Sequence, residues 1–412
     1  MSLRVLLATE ASEGLGHVAP WRGLLETLIA HGHVVTMACP QAALAQSLLG
    51  DTGAKVLQAW WPSMHASAIL ESSYCWEDLL WSLGYGSSKA VAACTKYWAS
   101  LFDSEKPDVI LADYAPLAMV IAKARGIPVI EAGGGFCVPP ARAGQPSWLP
   151  HIRQLNPSLK PSREWIARAE HRGRCIAQAF NLILPSEAGL PEFNAIYRSA
   201  SVRCVTSSQE LDHYASWRLA DDVEYLGALK LSSLGVDPDA SAPDWARAAT
   251  KGLKLLCYLK ENTPGIDEIL TQLVSSMDLQ ILIIGLSRSR AKQLCSLHGE
   301  VPSHIHISEQ ALDFSKAIDL ADVFLTNGGI HSLSHALNSG KQCLIVPSQA
   351  EQASMAVLLR ENPLIGIIGH ASHLQAQLLQ IKRMERKRQA DLSNNLYKAE
   401  LSLLALIDKV AC

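Results

Sequence analysis

Short, nearly continuous apolar runs alternate along this chain with longer stretches whose apolar residues recur every three or four positions, the mark of buried strands alternating with amphipathic helices. Residues 4–9 read as a first strand. The loop ASEGLGHVAP follows, and Pro20 opens a helix with Trp21, Leu24, Leu25 and Leu28 on one face, ending near Gly32. A second strand over 33–38 completes a β-α-β unit, which requires a parallel sheet with a right-handed crossover. Further strands are expected at 107–112, 128–131, 180–184 and 223–227, with a mostly helical stretch over 75–102. KLSSLGVDPDASAPDW, residues 230–245, reads as a linker. The pattern then restarts with a strand at 254–259, the loop ENTPG, a helix from Pro264, a strand at 280–285, a loop carrying Arg288 and Arg290, and a short strand at 304–307. A strand over 322–326, the glycine turn Asn327-Gly328-Gly329, a helix over 331–339, a strand over 342–346 and a helix opening near Glu351 come next. Residues 372–411 are largely helical. The expected fold class is α/β, with two doubly wound, Rossmann-like parallel-sheet domains.

Composition agrees with that reading and narrows the function. At 412 residues the chain suits two domains, and 49% hydrophobic against 18% charged residues is ample for two cores. A net charge of -3 leaves no electrostatic footprint for nucleic acid. No apolar run is long enough to span a bilayer, and the first one is broken by Glu10, so it is a strand and not a leader peptide. The ten cysteines are scattered singly, which argues against a structural zinc or a disulfide scaffold and suits a reducing cytoplasm. The basic run over 382–388 reads as a solvated helix face, with peripheral contact to an anionic membrane as the alternative.

Ligands of such sheets bind at the carboxyl ends of the strands, which is where Gly14, Gly16 and His17 fall. GLGHVA also fits a loose dinucleotide fingerprint, but that motif needs an acid at the end of the second strand to hold a ribose. Met37-Ala38-Cys39-Pro40 supplies none, so a dehydrogenase is set aside. Imidazole titrates near neutrality, so His17 is a candidate base, or else a loop residue that caps the helix behind it. Asp113, after the strand at 107–112, reads on its position as a cap of the helix that follows. The strand, glycine turn and helix over 322–339 form a device for phosphate: unpaired helix N–H groups, a favourable dipole and glycines that admit a ligand.

The segment 321–359 resembles the donor-binding signature of the inverting GT-B glycosyltransferases, the UDP-glycosyltransferase superfamily, most closely its bacterial macrolide-glycosyltransferase-like branch. There a His-Gly-Gly turn is followed by Trp-Asn-Ser, Glu-Ala, a glycine before a strand, a proline and an Asp-Gln pair. This chain has Asn327-Gly328-Gly329, Ile330-His331-Ser332, His335-Ala336, Gly340, Pro347 and Glu351-Gln352 in the same spacing. It departs in Asn327 for His, His335 for Glu and Glu351 for Asp. The family's Gly-His-x-x-Pro loop is matched by His17 and Pro20, and the run PDVILADYAPLAMVIAKARGIPVI resembles its segment carrying the aspartate that holds the catalytic histidine. Where many members have a Gly-Ser or Gly-Thr turn, this chain has Lys260-Glu261-Asn262. No Trp-x-x-Gln base platform precedes the signature; Glu309-Gln310-Ala311-Leu312 stands there.

The resemblance implies an acceptor domain over 1–229, a linker over 230–247, a nucleotide-sugar domain over 248–385, and a last helix over 386–412 returning to the first domain, with a cleft between the two. The implied activity is metal-independent hexosyl transfer from a UDP- or dTDP-linked sugar to a hydroxyl of a small acceptor, the nucleotide sugar being a co-substrate and no cofactor being required. His17 would be the base and Asp113 its partner. Gly328, Gly329, Ser332 and the helix behind them would stabilise the diphosphate, and Asn327 would donate an amide hydrogen bond to it. His331 would be a further donor-binding residue, with Lys260 as a further phosphate contact or an exposed lysine. Glu351 and Gln352 would hold the sugar. His335 cannot accept bidentately from a ribose as Glu does, which favours a deoxynucleotide donor. Trp60, Trp61, Trp76, Trp81 and Trp98 crowd the region that builds the family's acceptor pocket, so an apolar acceptor is one reading and plain core the other. The rival functions are a GT-B protein that binds without turnover and a sugar-nucleotide epimerase of the same fold.

Overall fold

The computed structural model describes residues 2–10, 14–59, 73–150, 161–229, 245, 252–295, 300–308, 313–383 and 398–411. Two compact units divide the chain: residues 1–230 with 397–412, and residues 231–396. Both expected doubly wound sheets are present.

In the first unit seven parallel strands lie in the order β3-β2-β1-β4-β5-β6-β7. They are β1 (Arg4–Thr9), β2 (Val34–Cys39), β3 (Lys55–Gln58), β4 (Val109–Asp113), β5 (Val129–Gly133), β6 (Val202–Val205) and β7 (Glu224–Tyr225). β4 and β5 are buried along their whole length, so their apolar residues run together instead of alternating, with Asp113 and Glu131 as the charged exceptions. Helix α1 (Arg22–Ala30) turns Leu24, Leu25 and Leu28 inward, each fully buried. Burying such a side chain stabilises by about 1.5–3 kcal/mol. Helix α2 (Ala42–Leu49) then connects β2 to β3.

The expected helix over 75–102 is two helices, α3 (Trp76–Ser82) and α4 (Ser88–Glu105). Glycines break it. Gly84 has φ +89°, and a Cβ on Gly86 would stand 2.4 Å from the Trp81 ring. Ser87 caps the new helix by accepting from Ala90 N. Helix α5 (Pro116–Ala124) joins β4 to β5. The expected strand at 180–184 is instead the end and exit of helix α6 (Arg163–Asn181). The strand at β6 went unread because it is four residues long and interrupted by Arg203, whose charge is paired with buried Glu131.

The second unit has six parallel strands in the order β10-β9-β8-β11-β12-β13. These are β8 (Leu253–Tyr258), β9 (Leu279–Ile284), β10 (Ile305–Ile307), β11 (Val323–Thr326), β12 (Gln342–Ile345) and β13 (Ile365–Ile367). The helices are α7 (Ile266–Val274), α8 (Arg288–Cys295), α9 (Phe314–Leu320), α10 (Ile330–Asn338), α11 (Ala350–Leu358) and α12 (His373–Arg383). Arg288 and Arg290 thus open a helix rather than ride a loop. Leu255, Cys257, Ile281, Ile283, Leu325 and Leu344 bring five aliphatic side chains and a thiol from four strands into one core against Ile269, Leu270 and Leu273 of α7. Trp245 is fully buried and donates to Gln280 O over 2.9 Å.

The last helix, α13 (Lys398–Ala411), packs on α1 of the first unit with Leu403 and Ile407 buried. His33 supports it: Nδ1 accepts from Leu3 N at 3.2 Å, and Nε2 stands 3.7 Å from Asp408 of the helix. No described helix is long and apolar enough to cross a membrane. Trp60, Trp61, Glu309 to Leu312, residues 384–388 of the basic run and all of the 230–247 linker except Trp245 lie outside the described residues.

Candidate active site

Each sheet reverses its winding between two neighbouring strands, and a crevice opens at the carboxyl ends of that pair. In the first unit the pair is β1 and β4, in register with Thr9 opposite Asp113. The chain leaves β1 and forms a 3-10 turn, Gly14–His17, and a second, Ala19–Trp21, in which Pro20 starts the run into α1. His17 Nδ1 comes to 2.9 Å from Asp113 Oδ2. The carboxylate is nearly enclosed and the imidazole is about one-fifth exposed. A carboxylate beside Nδ1 favours the tautomer that carries its proton there.

Asp113 is held by groups the sequence did not reveal. Trp21 is fully buried and donates its indole N–H to the same Oδ2 over 2.8 Å. Asp113 does not cap α5, whose N-terminal neighbour is Ala115 with no capping side chain. That task falls to Glu10, just past β1: its carboxyl accepts from Leu117 N at 3.0 Å, Ala118 N at 2.7 Å and Tyr85 Oη at 2.7 Å. Burial raises the Glu10 carboxyl to about 7, against the pull of these donors. Glu10 N also donates to Tyr114 O at 3.3 Å. Tyr114 has φ +55°, a left-handed conformation costing a bulky residue roughly 1–2 kcal/mol, and it turns the chain out of β4 directly behind Asp113. Glu10 therefore releases Asp113 for His17 and braces the turn that aims it.

Of the tryptophans, Trp76 and Trp98 are core residues without exposure. Trp76 meets Tyr114 edge-on at 5.3 Å and Phe136 at 5.4 Å, and donates to Tyr214 Oη at 2.6 Å. It forms an aromatic floor one residue removed from His17, whose ring lies 6.1 Å from that of Tyr114.

In the second unit the reversal falls between β8 and β11, with Thr326 opposite Tyr258. Lys260 follows the first strand and Asn327-Gly328-Gly329 the second, so the fold brings them together. Asn327 is buried, and its amide is spent inside the protein: Oδ1 accepts from Lys260 N at 3.0 Å, while Nδ2 donates to Thr263 Oγ1 and Val346 O, each at 2.9 Å. The expectation that this amide donates to phosphate does not match that geometry; Asn327 ties three loops at the strand ends. Gly328 has φ +93°, and a Cβ there would stand 2.8 Å from Ile345. Gly329 is the N-cap of α10 and offers no capping side chain, and no acid stands in the first turn. Such a helix end presents N–H groups and partial positive charge.

His331 lies in that first turn. Ser332 donates its hydroxyl to Gly329 O at 3.0 Å. Gln352 lies against Gly328, its Cβ 4.0 Å from where a Gly328 Cβ would be, and its Oε1 accepts from Ser348 N and Oγ at 2.8 and 2.9 Å. Glu351 is half-buried in the first turn of α11. His335 sits at the far end of α10, where Nε2 meets Asp319 Oδ1 of α9 at 3.1 Å. Burial raises the Asp319 carboxyl, but bonds from His335 and Ser339 outweigh it and hold it below the usual range. Asp319 carries no motif, and nothing in the sequence marked it.

No protein-family model and no curated protein sequence matches the chain. Solved structures do. The glycosyltransferase of kitacinnamycin superposes with a TM-score of 0.63, covering 100% of this chain and 96% of its own at 19% identity. Glycosyltransferase VinC, in complex with dTDP, gives 0.67 over 99% of each chain at 14% identity. SsfS6 from Streptomyces sp. SF2575, complexed with thymidine diphosphate, gives 0.59 over 99% of each chain at 18% identity. The fold of this chain is the GT-B fold of those glycosyltransferases.

Proposed function

We propose that the protein is an inverting glycosyltransferase that moves a sugar from a nucleoside diphosphate to a hydroxyl of a small apolar acceptor. The observation that carries this reading is the His17–Asp113 pair at the switch point of the first sheet. Nε2 of His17 takes the acceptor's proton as its oxygen attacks the anomeric carbon. The bond from that carbon to the diphosphate breaks, and the electron pair leaves with the diphosphate. Asp113 accepts from Nδ1–H and stabilises the imidazolium. The N-terminus of α10 and the ammonium of Lys260 offset the developing charge. Glu351 and the amide group of Gln352 bind sugar hydroxyls.

Two observations favour a dTDP-linked donor. His335 is engaged by Asp319 and offers no bidentate acceptor for a ribose diol, and two of the structural relatives hold thymidine diphosphate. The internally spent amide of Asn327 supports a second reading, nucleotide binding without turnover. Thermal-shift titration against UDP, dTDP, GDP and their sugar conjugates separates these. A ligand at a hundred times its dissociation constant adds about 2.7 kcal/mol. A shift with dTDP-sugar and transfer lost in His17→Ala support the reading. A shift without transfer to any acceptor favours binding alone, and no shift with any nucleotide removes both.

A further inference from the structure

We propose that His17, Asp113 and Cys137 form a binding site for a thiophilic divalent cation, Zn2+ being the type, and that the bound cation shuts off the base. A ring nitrogen of His17, a carboxylate oxygen of Asp113 and Sγ of Cys137 all lie within 4.8 Å of one another, and Nδ1 is the nitrogen turned to the carboxylate, 2.9 Å from Oδ2. Asp113 is 3% exposed and Cys137 6%. The second carboxylate oxygen, Asp113 Oδ1, is buried and takes no hydrogen bond from any described residue. Unlike Oδ2, which already serves His17 and Trp21, it has a lone pair to give.

The backbone builds this cluster. Asp113 ends β4 and Gly133 ends its neighbour β5, and the 3-10 turn Gly135–Cys137 brings the thiol back beside the carboxylate. A Cβ on Gly133 would stand 2.9 Å from Asp113 Oδ1 and 3.4 Å from Cys137 Cβ, so only glycine lets thiol and carboxylate draw this close. The turn is pinned by Cys137 N on Gly134 O at 2.9 Å and by Arg218, which donates to Gly135 O at 3.2 Å.

One imidazole nitrogen, one carboxylate and one thiolate are a ligand set that suits zinc, and three protein ligands leave a fourth position for water. Bond lengths of roughly 2.0–2.3 Å are reached by rotamer adjustment of the three side chains. Binding displaces the thiol proton to solvent. The cation takes the Nδ1 lone pair, and the ring's single proton moves to Nε2. That is the nitrogen which, on the proposed mechanism, must be bare to accept the acceptor's proton. Cation binding stands on the geometry alone; its inhibitory effect rests on the proposed function.

The test titrates metal-free protein with Co2+, a coloured stand-in for zinc. The expected result is visible d–d bands of a low-coordinate site and a thiolate-to-cobalt charge-transfer band, both removed by added Zn2+. Cys137→Ser should lose the charge-transfer band and at least tenfold in Zn2+ affinity. Cys175→Ser, whose thiol faces His171 at 3.8 Å on α6, is the control and should keep both. In a transfer assay micromolar Zn2+ should inhibit the wild type, a chelator should restore it, and Cys137→Ser should resist. Absence of a thiolate band in the wild type overturns the site whatever the variants do, as does unchanged affinity in folded Cys137→Ser. Cobalt binding through Cys137 in a protein that transfers no sugar keeps the site and overturns the function.

Discussion

Trp21 Nε1 donates to Asp113 Oδ2 over 2.8 Å, the oxygen that also faces His17 Nδ1. The indole thus holds one end of the carboxylate so that the other hydrogen bond points at the imidazole. Trp21→Phe keeps the aromatic packing and removes the donor. Transfer should fall roughly tenfold in kcat, the worth of about one hydrogen bond to a charged group, with the dissociation constant of the donor nucleotide unchanged. Steady-state kinetics beside nucleotide titration checks this; a loss confined to nucleotide binding would assign Trp21 to packing alone.

Asp113→Asn tests the pair itself. An amide can turn its N–H toward Nδ1 and leave the imidazole in the wrong tautomer, so kcat should drop on the order of 10²–10⁴-fold. The melting temperature should change little, because α5 is capped by Glu10 and not by Asp113. A large loss of stability with intact turnover would return Asp113 to a structural role.

Both sheets were legible because parallel strands buried on both faces carry unbroken apolar runs, four residues long at Val5 to Ala8 and at Val109 to Ala112. The strand at β6 was not, because a buried ion pair hides Arg203 from any hydropathy pattern. His17 and Asp113 stand 96 residues apart and were found by resemblance, whereas Trp21 looked like one more apolar residue on a helix face. The direction of an indole N–H has no signature in sequence. Asn327 shows the converse: its position in a motif suggested ligand contact, and only the structure reveals where its amide hydrogens go.

Asn327 and Lys260 should separate in experiment. Asn327→Ala takes one hydrogen bond each from Lys260 N, Thr263 Oγ1 and Val346 O, costing on the order of 2–4 kcal/mol of stability of the second unit. Lys260→Met removes a charge and leaves its backbone bond to Asn327 intact. It should weaken diphosphate binding about five- to tenfold at low salt, with no change in melting temperature and less effect at high salt. Chemical denaturation and nucleotide titration of both variants decide; unchanged nucleotide affinity in Lys260→Met takes that side chain out of the donor site.

Glu10 gives a pH dependence with a definite sign. Burial holds its carboxyl at about 7 in the folded chain against 4.5 as the ordinary value, and Glu77 is raised in the same way. Between those values the folded chain keeps a proton that the unfolded chain has released. Stability is therefore greatest below about 4.5 as far as these groups decide it, falls as the pH rises to about 7, and levels off above. The upper limit is on the order of 3 kcal/mol per group. Glu10→Gln cannot titrate, so its urea midpoint should vary less across that window than the wild type's. An unchanged slope would place the proton elsewhere.

His335 offers the sharpest test of the donor. A glutamate at 335, as in the donor-binding signature that the segment resembles, would ordinarily be expected to favour a ribonucleotide, since two oxygens can accept from both ribose hydroxyls. Here the side chain at 335 meets Asp319, which also takes the Ser339 hydroxyl and, through its backbone oxygen, the Lys341 ammonium. His335→Glu sets two carboxylates against each other at hydrogen-bond distance. One must turn away or hold a proton, at a cost of about 1 kcal/mol at this partly exposed site. UDP affinity should then stay low in the single variant. It should rise only when Asp319→Asn is added, which removes the repulsion and frees the new carboxylate. Calorimetric titration of UDP and dTDP against both variants reads this out. If His335→Glu alone gains UDP, Asp319 is not what fixes the side chain at 335, and the case for a deoxynucleotide donor loses its structural support.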